Sequence, residues 1–156
     1  MMKSNRRRSR EFALQGLYQW QLAGTDPVTI AAQLGEAEDF GKSDADYFTK
    51  LLDGAIAGAA EMEQLITPLL DRAYKSLSPV ERGILLLAGY EFRHCPEVPY
   101  RVVINEAIEL AKAFGEVKLT PTTFVIDKRG KIVTRILGEP DFAKLHALLE
   151  EKLKET

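Results

Sequence analysis

Four arginines stand close together near the start of the chain. The stretch "MMKSNRRRSR" places Arg6, Arg7, Arg8 and Arg10 behind Lys3, with no acid among the first ten positions. A guanidinium is a planar fork that stays charged and meets phosphate oxygens two-pronged, and arginine-rich segments order on RNA. Each phosphate contact releases counterions, so such binding weakens with salt. The same run also reads as a solvated, frayed terminus, as charge runs commonly do. Gln15, Tyr18 and Trp20 follow on the adjoining helical segment. Tyr18 offers a ring on which a base can stack. Helical aromatics also serve cores, which is the expectation for Trp20.

Elsewhere the reactive side chains do not assemble. Cys95 is the only cysteine, which excludes an intrachain disulfide and a cysteine-based zinc site and leaves no resolving partner for redox turnover. His94 is its neighbour in sequence, an arrangement that rarely brings two side chains face to face, and His146 reads as a helix-surface residue. No third ligand type clusters with them. No catalytic residue, metal or cofactor is expected, and the protein is not read as an enzyme. The formal net charge of the 156 residues is -2, so the chain exerts no global pull on nucleic acid. With a basic start, the remainder is acidic. A lone cysteine is compatible with the cytoplasm, the expected location. "EFALQGLYQW" interrupts any apolar run after the basic start, so a signal peptide is not expected, and no run approaches the ~18 apolar residues of a membrane span.

The elements that would position these residues follow from period and punctuation. Phe12, Leu14, Leu17, Tyr18 and Leu22 recur at near-helical intervals over 9–23, with Ser9 as N-cap and Gly24 as stop. Asp26 and Pro27 open a short helix to about Leu34. Ser43 is the expected cap of a long helix, with Asp44 and Asp46 in its first turn, where the dipole favours acids, and an apolar stripe from Phe48 to Met62. "SPVERGILLLAGYEF" carries a capping box from Ser78 to Glu81 with Pro79 at the first helical position. Glu81 and Arg82 lie at its start. "YRVVINEAIELAKAF" turns Val103, Ala107, Leu110, Ala111 and Phe114 inward and stops at Gly115. Beyond it, "TTFVI" and "KIVTRIL" read as strands around the turn "DKRG". A last helix follows, with Phe142, Leu145, Leu148, Leu149 and Leu153 on one face.

Residues 1–115 resemble the NusB family of bacterial transcription antitermination factors. The likeness rests on "RRRSREFALQGLYQWQLAG", "YFTKLLDGA" and "VPYRVVINEAIELAKAFG" and on the spacing between them. It implies an all-α fold of two small helical bundles that binds boxA RNA together with NusE, a ribosomal small-subunit protein. By the same resemblance Arg6, Arg7, Arg8, Arg10, Gln15 and Tyr18 would face RNA, and Glu81 and Arg82 would face the protein partner. For the last two, a capping box and solvent are an adequate alternative.

After Gly115 the pattern changes. The family's usual ending, a final helix with a His-Lys-Phe-Val-Asn-Gly-like sequence, is absent. Residues 119–156 resemble the C-terminal ββα part of thioredoxin-like oxidoreductases of the TlpA and ResA kind, with Pro121 matching their cis-proline and no Cys-x-x-Cys motif present. The expected organisation is thus a chimera: a NusB-like helical part, 1–115, lacking its final helix, and a ββα fragment, 116–156, that shares its core. The expected class is α+β, a mainly helical bundle with the hairpin and last helix packed onto it. The chain would then be an engineered or recombined protein with residual boxA-type RNA binding at most. A homodimer could form through the hairpin edge or by segment swapping. The alternative is a functional NusB-like antitermination protein acting with NusE.

Overall fold

The computed structural model describes residues 4–114, 122–126, 132–137 and 142–154. The chain separates into two compact units, Met1–Val117 and Lys118–Thr156.

The first unit begins with α1 (Asn5–Ala23). Ser4, not Ser9, is its N-cap: the Ser4 hydroxyl oxygen accepts from the Arg7 N–H at 3.1 Å. All four arginines therefore lie inside the helix. Ser9 is buried, donates to the Asp44 carbonyl at 2.7 Å and accepts from the Asp44 N–H at 2.9 Å. It thereby ties α1 to the start of α3, and a hydroxyl engaged across elements is unavailable to cap its own helix. Gly24 ends α1 in the left-handed conformation, φ 67°, which glycine adopts without a Cβ clash.

Asp26 caps α2 (Pro27–Gly35) through the Thr29 N–H, with Pro27 in its first turn. A 3₁₀ turn, Glu38–Lys42, leads to α3 (Ala45–Ala57), capped by Asp44 through the Tyr47 N–H at 3.0 Å. The expected cap, Ser43, instead donates its hydroxyl to the Phe40 carbonyl, closing the preceding turn. The long helix is interrupted at Gly58, and α4 runs over Ala59–Ile66. After two 3₁₀ turns, α5 (Pro79–His94) starts at the Ser78 cap, and α6 (Tyr100–Ala113) ends at Phe114. The expected stop, Gly115, lies outside the described residues.

α1 packs against α2, α3 and α5. Leu14, Leu17, Ile30, Phe48, Leu51, Leu52 and Leu87 are buried to 1 % exposure or less, each worth roughly 1.5–3 kcal/mol of apolar burial. Phe12, Phe40 and Phe48 stack edge to face at 5.2 and 5.1 Å between centroids. Close approach of α3 and α5 depends on Gly54, whose missing Cβ leaves the space that the Tyr90 ring fills. Trp20 is half-buried against this core. On α6, Val103, Leu110 and Ala111 are buried, while Ala107 and Phe114 are partly so.

The second unit contains β1 (Thr122–Ile126) and β2 (Ile132–Leu137), paired antiparallel with Thr122 opposite Leu137 and an irregularity between Val125 and Ile126. α7 (Phe142–Leu153) follows. Pro121 and the "DKRG" turn lie outside the described residues. The expected α+β class does not hold for the first unit. The described residues of the first unit are helical or in loops, and they close a core on their own side chains. The class of that body is all-α.

Candidate nucleic-acid interface

The N-terminal turns of α1 are fixed by charges. Arg10 is 3 % exposed, a position on the same stripe as Leu14 and Leu17 that would otherwise demand an apolar residue. Its guanidinium makes a two-pronged pair with Glu91 of α5, at 2.8 Å on both prongs, and Glu91 is itself 2 % exposed. The Tyr47 hydroxyl of α3 donates to the same carboxylate at 2.7 Å. One buried acid thereby binds three helices. Burial pulls the Arg10 pKa down, but the hydrogen bonds and charge of Glu91, with Tyr47 and Glu106, outweigh it and the net shift is upward. The Tyr47 phenol is pushed up, first by burial and then by its hydrogen bond to Glu91 and that group's charge.

The remaining arginines are arranged around this core. Arg6 is exposed and lies over the Tyr47 ring, its guanidinium carbon 4.3 Å from the centroid, while Arg10 sits 5.5 Å from the same centroid. Such stacking is a cation–π contact. Arg7 makes a second two-pronged pair with Glu106 of α6, at 3.0 and 2.8 Å. The hydrogen bond and charge of Glu106 raise its pKa. Glu106 is also 3.9 Å from Arg10. Arg8 is half-buried on the outer side of the helix.

Helical spacing sets Arg8, Glu11, Gln15, Tyr18 and Leu22 along one stripe, of which Gln15, Tyr18 and Leu22 are exposed. Beside it runs a mainly apolar cleft of about 480 Å³, bordered by Leu14, Tyr18, Leu34, Val80 and Phe114. Tyr18, 44 % exposed, forms part of its rim. The structure thus brings Arg8, Gln15 and Tyr18 together, keeps Arg6 at the surface, and commits Arg7 and Arg10 to carboxylates.

Glu81 and Arg82 occupy the first turn of α5, where the Glu81 N–H donates to the Ser78 hydroxyl. Both are half-buried, and the Arg82 Nε lacks a hydrogen-bond partner among the described residues. Arg82 lines a second depression with Trp20, Glu63 and Tyr74. The Tyr74 phenol there is pushed up by burial and by Glu63, with Arg82 opposing. Cys95 is buried, whereas His94 is exposed and stacks on Tyr90 at 4.9 Å, so the two do not form a dyad. His146 lies on the outside of α7, 3.6 Å from Glu150.

Glu91, Tyr47 and Glu106, the partners that organise the arginines, are absent from the sequence reading. One signal was available. Glu91 continues the apolar stripe of Ile84 and Leu87 on α5, and Arg10 that of Leu14 and Leu17 on α1. A charge at a core position needs an opposite charge at another.

Comparison with known proteins bears on what this surface belongs to. The family model described as "NusB family" matches residues 7–121. The transcription antitermination protein NusB of Ralstonia nicotianae is 54% identical over 116 residues, 74% of this chain and 75% of that protein. NusB of Nitrosospira multiformis is 58% identical over 106 residues, 68% and 67% of the two chains. Among solved structures, T. maritima NusB superposes with a TM-score of 0.62 at 30% identity, covering 74% of this chain and 82% of that one. A crystal structure of antitermination factors NusB and NusE in complex with dsRNA gives a TM-score of 0.61 at 25% identity, covering 72% and 84%.

These matches correct two expectations. The family pattern continues past Gly115 to residue 121, and the relatives are proteins of natural bacteria, so the reading of the chain as an engineered or recombined chimera is withdrawn. The relatives described above are all NusB proteins or NusB-like structures and do not show a thioredoxin-like part. The fold class of the helical unit is likewise the all-α one of the solved relatives, in place of the α+β class expected. With a family match across most of its length and relatives more than half identical, the chain belongs to the NusB family.

Proposed function

We propose that the protein is a transcription antitermination factor that binds a boxA-type RNA through α1 and a NusE-type protein through the start of α5. The role is recognition, without a catalytic step, and it places the protein in the cytoplasm. The observation that carries the reading is the pinned N-terminal half of α1. The Arg10–Glu91–Tyr47 cluster holds the helix, Arg8, Gln15 and Tyr18 lie along one stripe of it, and Arg6 is exposed over the Tyr47 ring. Arginines there supply backbone attraction, and a half-exposed tyrosine on the rim of an apolar cleft supplies a stacking platform for an unpaired base. Relatives named as antitermination proteins, and a structural relative solved with NusE and dsRNA, support the same assignment. Glu81 and Arg82, both half-buried and the latter lining a depression, are the proposed contacts for the protein partner.

The test is titration of a boxA-type oligonucleotide and a scrambled one at several salt concentrations. Arg6→Ala and Arg8→Ala should each flatten the salt dependence by roughly 0.7 in slope, the increment for one phosphate of a single strand. Tyr18→Ala should cost about 1–3 kcal/mol of binding with little change in slope, as for loss of a stacked base. Equal affinity for both oligonucleotides, or no effect of Tyr18, would remove the sequence-reading role from α1. For the protein partner, Glu81→Ala with Arg82→Ala should abolish co-elution with NusE and leave RNA binding in place.

A further inference from the structure

The two carboxylates that engage the arginine cluster differ in one respect. Glu91 is enclosed, and its arginine cannot leave without stranding a buried charge. Glu106 sits nearer the surface, with side-chain exposures of 36 % for Arg7 and 12 % for Glu106. Its grip on Arg7 is two-pronged, at 3.0 and 2.8 Å, the geometry in which a guanidinium also holds a phosphate. Glu106 has a second cation within reach, the Arg10 guanidinium at 3.9 Å, so release of Arg7 would not leave the carboxylate bare. The pair is only part-buried, so opening it strands less charge than opening the enclosed Arg10–Glu91 pair would.

We infer that Glu106 is an internal stand-in for a phosphate, occupying Arg7 until a nucleic-acid backbone displaces it, and so sets the affinity and salt dependence of RNA binding. The inference rests on the RNA-binding reading above. Its physical content is an exchange of anions. A phosphate that takes Arg7 releases its counterion, but the Glu106 carboxylate left behind attracts one from solution. The net release from that contact is close to nil, and Arg7 adds little to binding despite lying in the cluster.

The exchange is read by a binding cycle on the full-length protein with a boxA-type single-stranded oligonucleotide. Glu106→Gln keeps shape and removes the competing charge. It should steepen the slope of log K against log salt by about 0.7, which from 1 M to 0.15 M amounts to roughly fourfold tighter binding. Arg7→Ala alone should change affinity less than about twofold, whereas Arg7→Ala added to Glu106→Gln should remove the whole gain. Arg7→Lys retains a cation but lacks the fork, and should also steepen the slope. That substitution at a half-exposed site keeps the test informative if Glu106→Gln folds poorly. Arg7→Ala flattening the wild-type slope as strongly as it does in Glu106→Gln would overturn the inference, since Arg7 would then already hold a phosphate. Weaker binding by Arg7→Lys, or an unchanged slope in Glu106→Gln, would overturn it too. A wild-type protein that binds while the cycle stays flat defeats this inference alone. No binding by wild type or Glu106→Gln at low salt defeats the RNA reading and this inference together.

Discussion

Replacing Arg10 with methionine separates what the buried cluster does for the fold from what it does for RNA. Methionine keeps the apolar stem that packs inside α1 and removes the guanidinium. Glu91, 2 % exposed, would be left with the Tyr47 hydroxyl at 2.7 Å as its remaining partner within the cluster. Removing one member of a buried ion pair costs about 3–5 kcal/mol, a large share of the ~5–15 kcal/mol that stabilises a typical domain. In urea, where such domains lose about 1–3 kcal/mol per molar, the midpoint of unfolding should fall by at least about 1 M. The triple variant Arg10→Met, Glu91→Leu, Tyr47→Phe replaces the entire cluster with apolar groups. It should regain most of the loss, because the penalty in the single variant is chiefly the stranded carboxylate. A single variant losing less than about 1 kcal/mol would refute the reasoning. A triple variant no more stable than the single one would do so equally.

The Tyr47 pKa is raised in the folded protein by burial and by Glu91, so its neutral form is favoured there. Its contribution is fully present below the unfolded value of about 10, and is lost as pH climbs from there toward the folded value. Wild type should therefore lose stability above pH ~10, and Tyr47→Phe should flatten that limb of a stability-versus-pH curve; identical limbs would contradict the assignment. Gly54→Ala should lower the melting temperature, since the new Cβ would collide with the Tyr90 ring and overpacking costs about 1–3 kcal/mol. Ser9→Ala removes the hydroxyl that bridges α1 to the Asp44 backbone; because the Asp44 N–H and carbonyl keep backbone partners in Asn5 and Phe48, the cost should be about 0.5–1.5 kcal/mol for the lost hydrogen bonds, read from the urea midpoint.

The helices were legible because periodicity and punctuation are local. Gly24, Asp26 with Pro27, and Ser78 with Pro79 all mark boundaries that the structure keeps. The errors at caps have one physical source. Ser9 and Ser43 each have capping chemistry, but their hydroxyls are used elsewhere, on Asp44 and Phe40, and neighbouring Ser4 and Asp44 take the caps. The break at Gly58 was hidden because the apolar stripe continues across it from Ala55 to Met62. The arginine cluster was recognised as a cluster, but its division of labour depends on partners 81 and 99 residues away, beyond any local pattern. The composition shift near residue 116 was real as a pattern. It misled on fold class and on origin, because a local change of period carries no information about ancestry.

The same division of labour sets a quantitative expectation for RNA recognition. A count of basic residues would assign all four arginines to phosphates, and a slope contribution near -3 at ~0.7 each. Arg10 is spent on Glu91 and is almost fully buried, and Arg7 is held by Glu106. Only Arg6 and Arg8 remain without a carboxylate among the described residues. Their share of the slope should be nearer -1.4, by the same increment of ~0.7 for each phosphate contact. Affinity beyond that must come from contacts that salt does not weaken, and the exposed Tyr18 ring beside an apolar cleft is the group placed to supply them. Half of the arginine cluster thus holds the helix, and half is left for the proposed ligand. A helix N-terminus built this way trades electrostatic strength for a fixed presentation of the bases' stacking partner. Discrimination between a boxA-type sequence and a scrambled one should therefore survive at salt concentrations where most backbone attraction is lost.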